Sequence, residues 1–219
     1  AAKDFRIYWD NAYGIHHLYE DKQDYLLEIF MECKKMGNPD MVYKFSSTSK
    51  ISFPGSGIAA IAASDANLRE IREQLKIQTI GHDKVNQLRH ARFFKDISGM
   101  VNHMKKHADI MRPKFDIVLE TFERELGGLE IGSWIAPRGG YFISFDAMDG
   151  CAKAVVAKAK EAGLVMTEAG ATYPYGKDPK DSNIRIAPSY PTLEEIKTAM
   201  EIFVLSVKLV SIDKLLGNI

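Results

Sequence analysis

Cysteine is scarce in this chain of 219 residues: there are only two, Cys33 and Cys151. They are too far apart for a CxxC pair and too few for a disulfide framework, which fits a reducing compartment, so a cytoplasmic location is expected. Charge of one sign is lacking as well. Lys+Arg and Asp+Glu both count 29 and no basic block stands out, so nucleic acid and anionic membranes find no support as partners. No apolar run approaches bilayer length. The opening stretch "AAKDFRIYWDNAYG" has neither the basic nor the long apolar segment of a signal peptide. Repeats and low-complexity tracts are missing too. What remains is the composition of an ordinary globular protein, long enough to bury a substantial core.

The apolar pattern predicts an α/β layer architecture. "FRIYW" (Phe5–Trp9) reads as a buried strand that opens the chain with no crossover before it. Since a mostly parallel sheet draws neighbouring strands from βαβ units, an N-terminal portion is expected to be missing. "QDYLLEIFMECKKMGNPD" follows as an amphipathic helix, then the strands "MVYKF" and "GIAAIAAS", with Ser64 as N-cap of another helix. Val101, Met104, Ala108, Met111, Phe115, Val118 and Phe122 recur at helical spacing, predicting one long helix closed by Gly127-Gly128 and kinked at Pro113. The remainder reads as α+β. It offers the strands "GYFISF", "LVMT" and "NIRIA", the helix "CAKAVVAKAKEAG", and a last helix opened by a Thr192/Glu195 capping box.

One lysine sits in unusual company. In "YKFSSTSKISFPGSG", Lys50 follows Ser46, Ser47, Thr48 and Ser49 and precedes two glycines. A lone lysine is ordinarily a solvated surface group. Hydroxyls and free N–H groups of a Ser/Gly loop are what a phosphate needs, however, and a desolvated lysine becomes an amine nucleophile. Together they describe a Schiff-base lysine beside a phosphate cup. Asp10, in "YWDNAYG", stands at the carboxyl end of a strand, where α/β sheets place ligands. Alone it reads as a turn aspartate; with Lys50 it suits the acid partner of a pyridine nitrogen. Arg185 in "NIRIAPSYP" faces away from Ile184 and Ile186, toward solvent or as a fork for a carboxylate.

Three other motifs fail. Ser47-Thr48-Ser49-Lys50 spells SxxK without its S-D-N and K-T-G companions. "GSGIAA" imitates a dinucleotide fingerprint, but only "ISF" precedes it. His103 and His107 have zinc spacing without HExxH or a third ligand.

"DNAY", "SSTSK", "PRGGYFISF" and "NIRIAPSY" occur in this order, and together they resemble the C-terminal half or so of a class I pyridoxal-phosphate aminotransferase. "SSTSKISFPGSGIAA" with "IGHDKVNQLRH" is most similar to an aspartate-aminotransferase-like branch. The resemblance implies a fold type I transferase. Residues 1–100 would complete a large cofactor-binding domain with a mostly parallel sheet, 101–126 would form the connecting helix, and 127–219 a small α+β domain. It further implies that Lys50 binds pyridoxal 5'-phosphate and moves the substrate α-proton, that Asp10 keeps the pyridine nitrogen protonated, and that Tyr13 bonds the phenolic oxygen. Ser47 and Ser49 would contact the phosphate and Arg185 the substrate α-carboxylate. Gly139 and Gly140 would form a turn leading the small domain over the site. An amino acid (aspartate or glutamate) and a 2-oxo acid would be the substrates, a homodimer the assembly, and the chain alone inactive. Lys84, Arg89 and Arg92 are candidates for a second cation or for a solvated helix face.

The chain departs from the family in one place. The arginine that the family carries about eight residues after the lysine is replaced here by Ser56, Gly57 and Ile58. Two alternatives remain open: an effector domain of a MocR-type transcription regulator, and a carbon–sulfur β-lyase.

Overall fold

The computed structural model describes residues 4–218. The chain divides into two compact units, Ala1–Lys106 and His107–Ile219.

In the first unit, strand β1 (Ile7–Asp10) pairs in parallel with β2 (Val42–Ser47), which pairs antiparallel with β3 (Ala59–Ala62). Of the two described pairings only one is parallel. β1 is not the buried strand that its composition suggests. Tyr8 is 71% exposed and Phe5 47%, because the described residues leave that face open; Tyr8 stacks instead on Tyr43 and Phe45 of β2, at ring centroids 5.3 and 5.9 Å away. The helix expected from residue 23 begins later, as α1 (Ile29–Lys35), where the Glu28 side chain caps it by accepting from Met31 N–H at 2.8 Å. Tyr25, Leu26 and Leu27 are exposed and have no face to bury, so they do not join it.

Ser64 does cap α2 (Asp65–Gln78), accepting from Asn67 N–H at 3.2 Å. α3 (Lys84–Phe94) follows, with Asp83 capping through Asn86 N–H. α4 (Ile97–Leu126) is one long helix, as expected, with Pro113 inside it. Met104, Ala108, Met111, Phe115, Val118 and Phe122 are buried on it, whereas Val101 is exposed. Gly128, at φ +74°, takes the left-handed position just beyond its end.

The second unit has a three-stranded antiparallel sheet in the order β4 (Gly132–Trp134), β5 (Ile143–Ala147), β6 (Asn183–Ile186). It also holds α4 from His107 onward, α5 (Ala152–Glu161) and α6 (Leu193–Leu215), the last opened by the predicted capping box of Thr192 and Glu195. Phe145, Phe122, Phe203 and Trp134 form one aromatic cluster, and the first three are almost fully buried. Each such burial contributes roughly 1.5–3 kcal/mol. β4 escaped sequence reading because three residues show no alternation; its Gly132 is required, since a Cβ there would lie 2.4 Å from the Phe145 ring. "LVMT" is not a strand: β6 pairs with β5 alone, and residues 164–167 line a cavity with α6 instead.

Candidate active site

β2 ends at Ser47, and the chain leaves it in a loop closed by one residue. Thr48 N–H donates to Ile58 O at 2.9 Å, and Ile58 N–H donates back to Thr48 Oγ1 at 3.0 Å. Inside the loop, Ile51 and Ser52 N–H both donate to Thr48 O, at 2.9 and 3.0 Å, winding a single tight turn. Lys50 is carried on this turn and is exposed. The desolvation that would activate it is therefore not supplied by the described residues. Its amine lies 5.3 Å from the centre of the Tyr13 ring.

Ser47 and Ser49 meet, Oγ to Oγ, at 3.3 Å, which places two hydroxyls side by side within the run that carries the lysine. Gly57 passes close to Ser49: a Cβ there would sit 3.0 Å from Ser49 N and Oγ. A cavity of about 230 Å³ borders this region, lined by Asn11, Ala12, Ser46, Ser47 and Thr48 among others. Lys50, Asp10, Tyr13 and Ser49 are not part of its wall.

Asp10 is the last residue of β1, in register with Phe45 on the neighbouring parallel strand. Asn11 N–H continues the ladder to Phe45 O at 2.8 Å. The Asp10 carboxylate is exposed and accepts one hydrogen bond, from Ala12 N–H at 3.1 Å. Tyr13 packs edge-on against His16, with centroids 5.4 Å apart. Burial pushes the His16 imidazole below its ordinary pKa, and the neighbouring charges of Lys50 and His17 push the same way. The first unit thus gathers a primary amine, a phenol and two hydroxyls around a strand end. An amine condenses with a carbonyl and paired hydroxyls receive a phosphate.

Arg185 belongs to the second unit. On β6 its neighbours Ile184 and Ile186 are buried, while Arg185 is half-buried on the other face. Its guanidinium lies over the Phe142 ring at 4.6 Å and makes a long hydrogen bond of 3.5 Å to Thr167 Oγ1. Nε is buried with no hydrogen-bond partner among the described residues. Arg185 and Thr167 are the polar members of the wall of a cavity of about 220 Å³, which is otherwise apolar, with Val118, Met166, Met200 and Phe203 in it. A buried, unpaired donor is costly, so an anionic oxygen beside it would be well received. Gly140 bends the chain ahead of β5 at φ +83°.

The other candidate cations stand on α3. Lys84 and Arg92 are exposed, and Arg89 lies over the Phe53 ring at 5.2 Å. Sequence reasoning missed the histidines around the Lys50 turn, His16, His90 and His103. Each is isolated in sequence, and His103, four residues before His107, read only as part of a polar helix face; in the structure His103 Nε2–H donates to Ile51 O at 2.7 Å. Thr167 and Phe142, beside Arg185, also carried no signal.

The comparisons with known proteins agree with one another. The sequence profile described as aspartate amino-transferase matches residues 1–219. A presumptive aminotransferase of Mycolicibacterium smegmatis is 44% identical over 218 residues, covering 100% of this chain and 51% of that protein. The crystal structure of an aspartate transaminase of Corynebacterium glutamicum superposes with a TM-score of 0.91 at 42% identity, covering 96% of this chain and 49% of that one. An α-aminoadipate aminotransferase of Thermus thermophilus, complexed with N-(5'-phosphopyridoxyl)-L-leucine, shares the fold at TM-score 0.74 and 18% identity, with coverage of 94% and 50%. The chain spans about half the length of the relatives it matches. With its profile matched from end to end, the chain belongs to the aspartate amino-transferase family.

Proposed function

We propose that the protein to which this chain belongs is a pyridoxal-phosphate-dependent aminotransferase. It moves the amino group of an α-amino acid, aspartate or glutamate, to a 2-oxo acid, and it works as a cytoplasmic homodimer. The observation that carries the reading is the Lys50 turn: an exposed amine over the Tyr13 ring, beside the paired Ser47 and Ser49 hydroxyls. The donor set fits the cofactor, since it offers an amine for an aldehyde, hydroxyls for a phosphate, and a carboxylate, Asp10, at the adjoining strand end. When bound, the cofactor supplies an electron sink for the developing negative charge on the substrate α-carbon.

The chain's own residues do the rest. Lys50 would hold the cofactor and, as an unprotonated amine, would carry a proton between the substrate α-carbon and the cofactor's C4′ carbon. Asp10 keeps a proton on the ring nitrogen by ion pairing. Tyr13 donates to the phenolic oxygen, and Ser47 and Ser49 donate to phosphate oxygens. Arg185 grips the α-carboxylate, a role favoured by its unpaired buried Nε. The structure of Corynebacterium glutamicum aspartate transaminase supports the choice of aspartate or glutamate.

The test uses the full-length protein. Adding pyridoxal phosphate should raise an absorption band near the violet edge, and aspartate or glutamate should discharge it faster than alanine does. Lys50→Ala should lose the band and lower turnover by on the order of 10²–10⁴-fold. A band that persists unchanged in Lys50→Ala would overturn the assignment, and alanine equal to aspartate and glutamate would overturn the substrate choice.

A further inference from the structure

The turn that carries Lys50 has almost no apolar anchor of its own; Ile51 alone is buried among Phe94, Met104 and Met100. The carbonyls of Lys50 and Ile51 are reached from outside the turn. Each is met by a histidine from a different element. His16, in the segment after β1, lies with Nε2 at 3.1 Å from Lys50 O. His103, on α4, lies with Nε2 at 2.7 Å from Ile51 O. A carbonyl can only accept, so both rings carry their proton on Nε2.

A third histidine, His90 of α3, has the opposite tautomer. Its Nδ1 is 2.8 Å from Asn86 O and must donate there. Nε2 is then the acceptor, with Ser52 Oγ at 2.7 Å and Thr48 Oγ1 at 3.1 Å. His90 is only 2% exposed, held between the Phe53 and Phe94 rings. Its contact with Thr48 reaches the hydroxyl that receives Ile58 N–H, so the ring also braces the closure of the whole loop. Asn86, which fixes the tautomer, donates in turn to Ser56 O at 2.8 Å.

We propose that His16, His90 and His103 are positioning residues that clasp the Thr48–Ser52 turn from three sides and so set where the Lys50 amine stands. The proposal rests on the reading of Lys50 as the cofactor-binding lysine. The three rings act through the turn and touch no reacting atom. Burial lowers the His16 pKa and so favours the neutral ring, the form with one donor and one acceptor. Divided among three elements, the clasp holds the turn through two backbone carbonyls and two hydroxyls and does not act on the lysine side chain directly.

The experiment compares the full-length protein with its His16→Phe, His90→Phe and His103→Phe variants, which keep a flat ring and delete the nitrogens, and with His103→Gln, which returns a donor at nearly the same reach. Two signals are read. Amide hydrogen exchange at Thr48, Ile51, Ser52 and Ile58 reports the turn with or without cofactor. The circular dichroism of the cofactor band, per unit absorbance, reports how fixed the bound lysine is. Each Phe variant should speed exchange about tenfold, the value of one hydrogen bond, and weaken the dichroism, with His103→Gln restoring both. Wild-type exchange and dichroism in the Phe variants would overturn the clasp. Absence of the band from the unaltered protein would overturn the reading of Lys50, while the exchange rates would still decide whether the three rings hold the turn. If the nearly buried His90→Phe fails to fold, His103→Phe, at a half-buried position, decides the matter alone.

Discussion

The two units are held together by different means. The second surrounds a continuous apolar centre in which Phe122, Phe145 and Phe203 are at most 1% exposed. The first has a small cluster of Ile51, Phe94 and Met104 and relies on directional contacts: a strand-end register, a loop closed by Thr48, and three imidazoles. Apolar packing tolerates small shifts of angle, whereas hydrogen bonds do not. The contrast places geometrically demanding order around the amine and forgiving order around the guanidinium of Arg185.

The largest effect that tests this contrast is Phe122→Ala. It should destabilise the second unit by about 3–5 kcal/mol, read by urea unfolding through Trp134, whose ring centroid is 5.2 Å from that of Phe122. The counterpart Phe94→Ala should cost less, since its cluster is smaller; an equal loss would erase the distinction.

Two glycines sharpen it next. Gly170, at φ +83°, would bring a Cβ to 2.6 Å from the backbone oxygen of Gly176, so Gly170→Ala should cost about 1–3 kcal/mol. Gly55, at φ +75°, has nothing within 4 Å, and Gly55→Ala should cost only the left-handed strain, about 1 kcal/mol. Thermal midpoints of the pair would show whether crowding adds to backbone strain.

Helix caps come third. Thr192→Ala and Ser64→Ala should each lose about 1 kcal/mol, the former slightly more because Thr192 Oγ1 also bonds Glu195 Oε2 at 2.9 Å.

Acid gives the smallest effect and separates the units by pH. The pKa of His16 is lowered in the folded state, so its contribution is complete above the unfolded value of about 6.5 and is lost as pH falls from there through the folded value. Asp178 is held below the usual carboxylate range, chiefly by the N–H of Asn183 and then by those of its loop. Its contribution is complete above about 3.9 and is lost as pH falls through the lowered value. Amide exchange at the Lys50 turn should therefore quicken at milder acidity than exchange at Ser182 and Asn183; the reverse order would refute the assignment of both groups.

Much of this was legible in the sequence, for definite reasons. Ser64 and Thr192 were readable as caps because capping is local chemistry with a fixed offset. The buried positions of α4 followed from spacing, except Val101, whose exposure depends on what surrounds that turn. Lys50 was conspicuous because its neighbours in sequence are also its neighbours in space. Arg185 could be assigned a face from the alternation of β6, but its unpaired Nε and the ring of Phe142 could not be foreseen. The histidines stayed hidden for the same reason: His16, His90 and His103 are 34, 38 or 42, and 52 residues from their partners, and no local rule spans such gaps. The exposure of β1 and the late start of α1 were misjudged because apolar residues signal burial only where something covers them.

Gly57 carries a consequence for how this loop could change over time. A Cβ there would meet Ser49 N and Oγ at 3.0 Å and Ser49 Cα at 3.1 Å, so any side chain at residue 57 requires the backbone at Ser49 to shift by a few tenths of an ångström. Two of those three atoms are backbone, so deleting the Ser49 hydroxyl does not by itself make the room. Side chains at 57 are thus expected to be disfavoured whichever residue stands at 49, a constraint that a library varying the two positions together would expose.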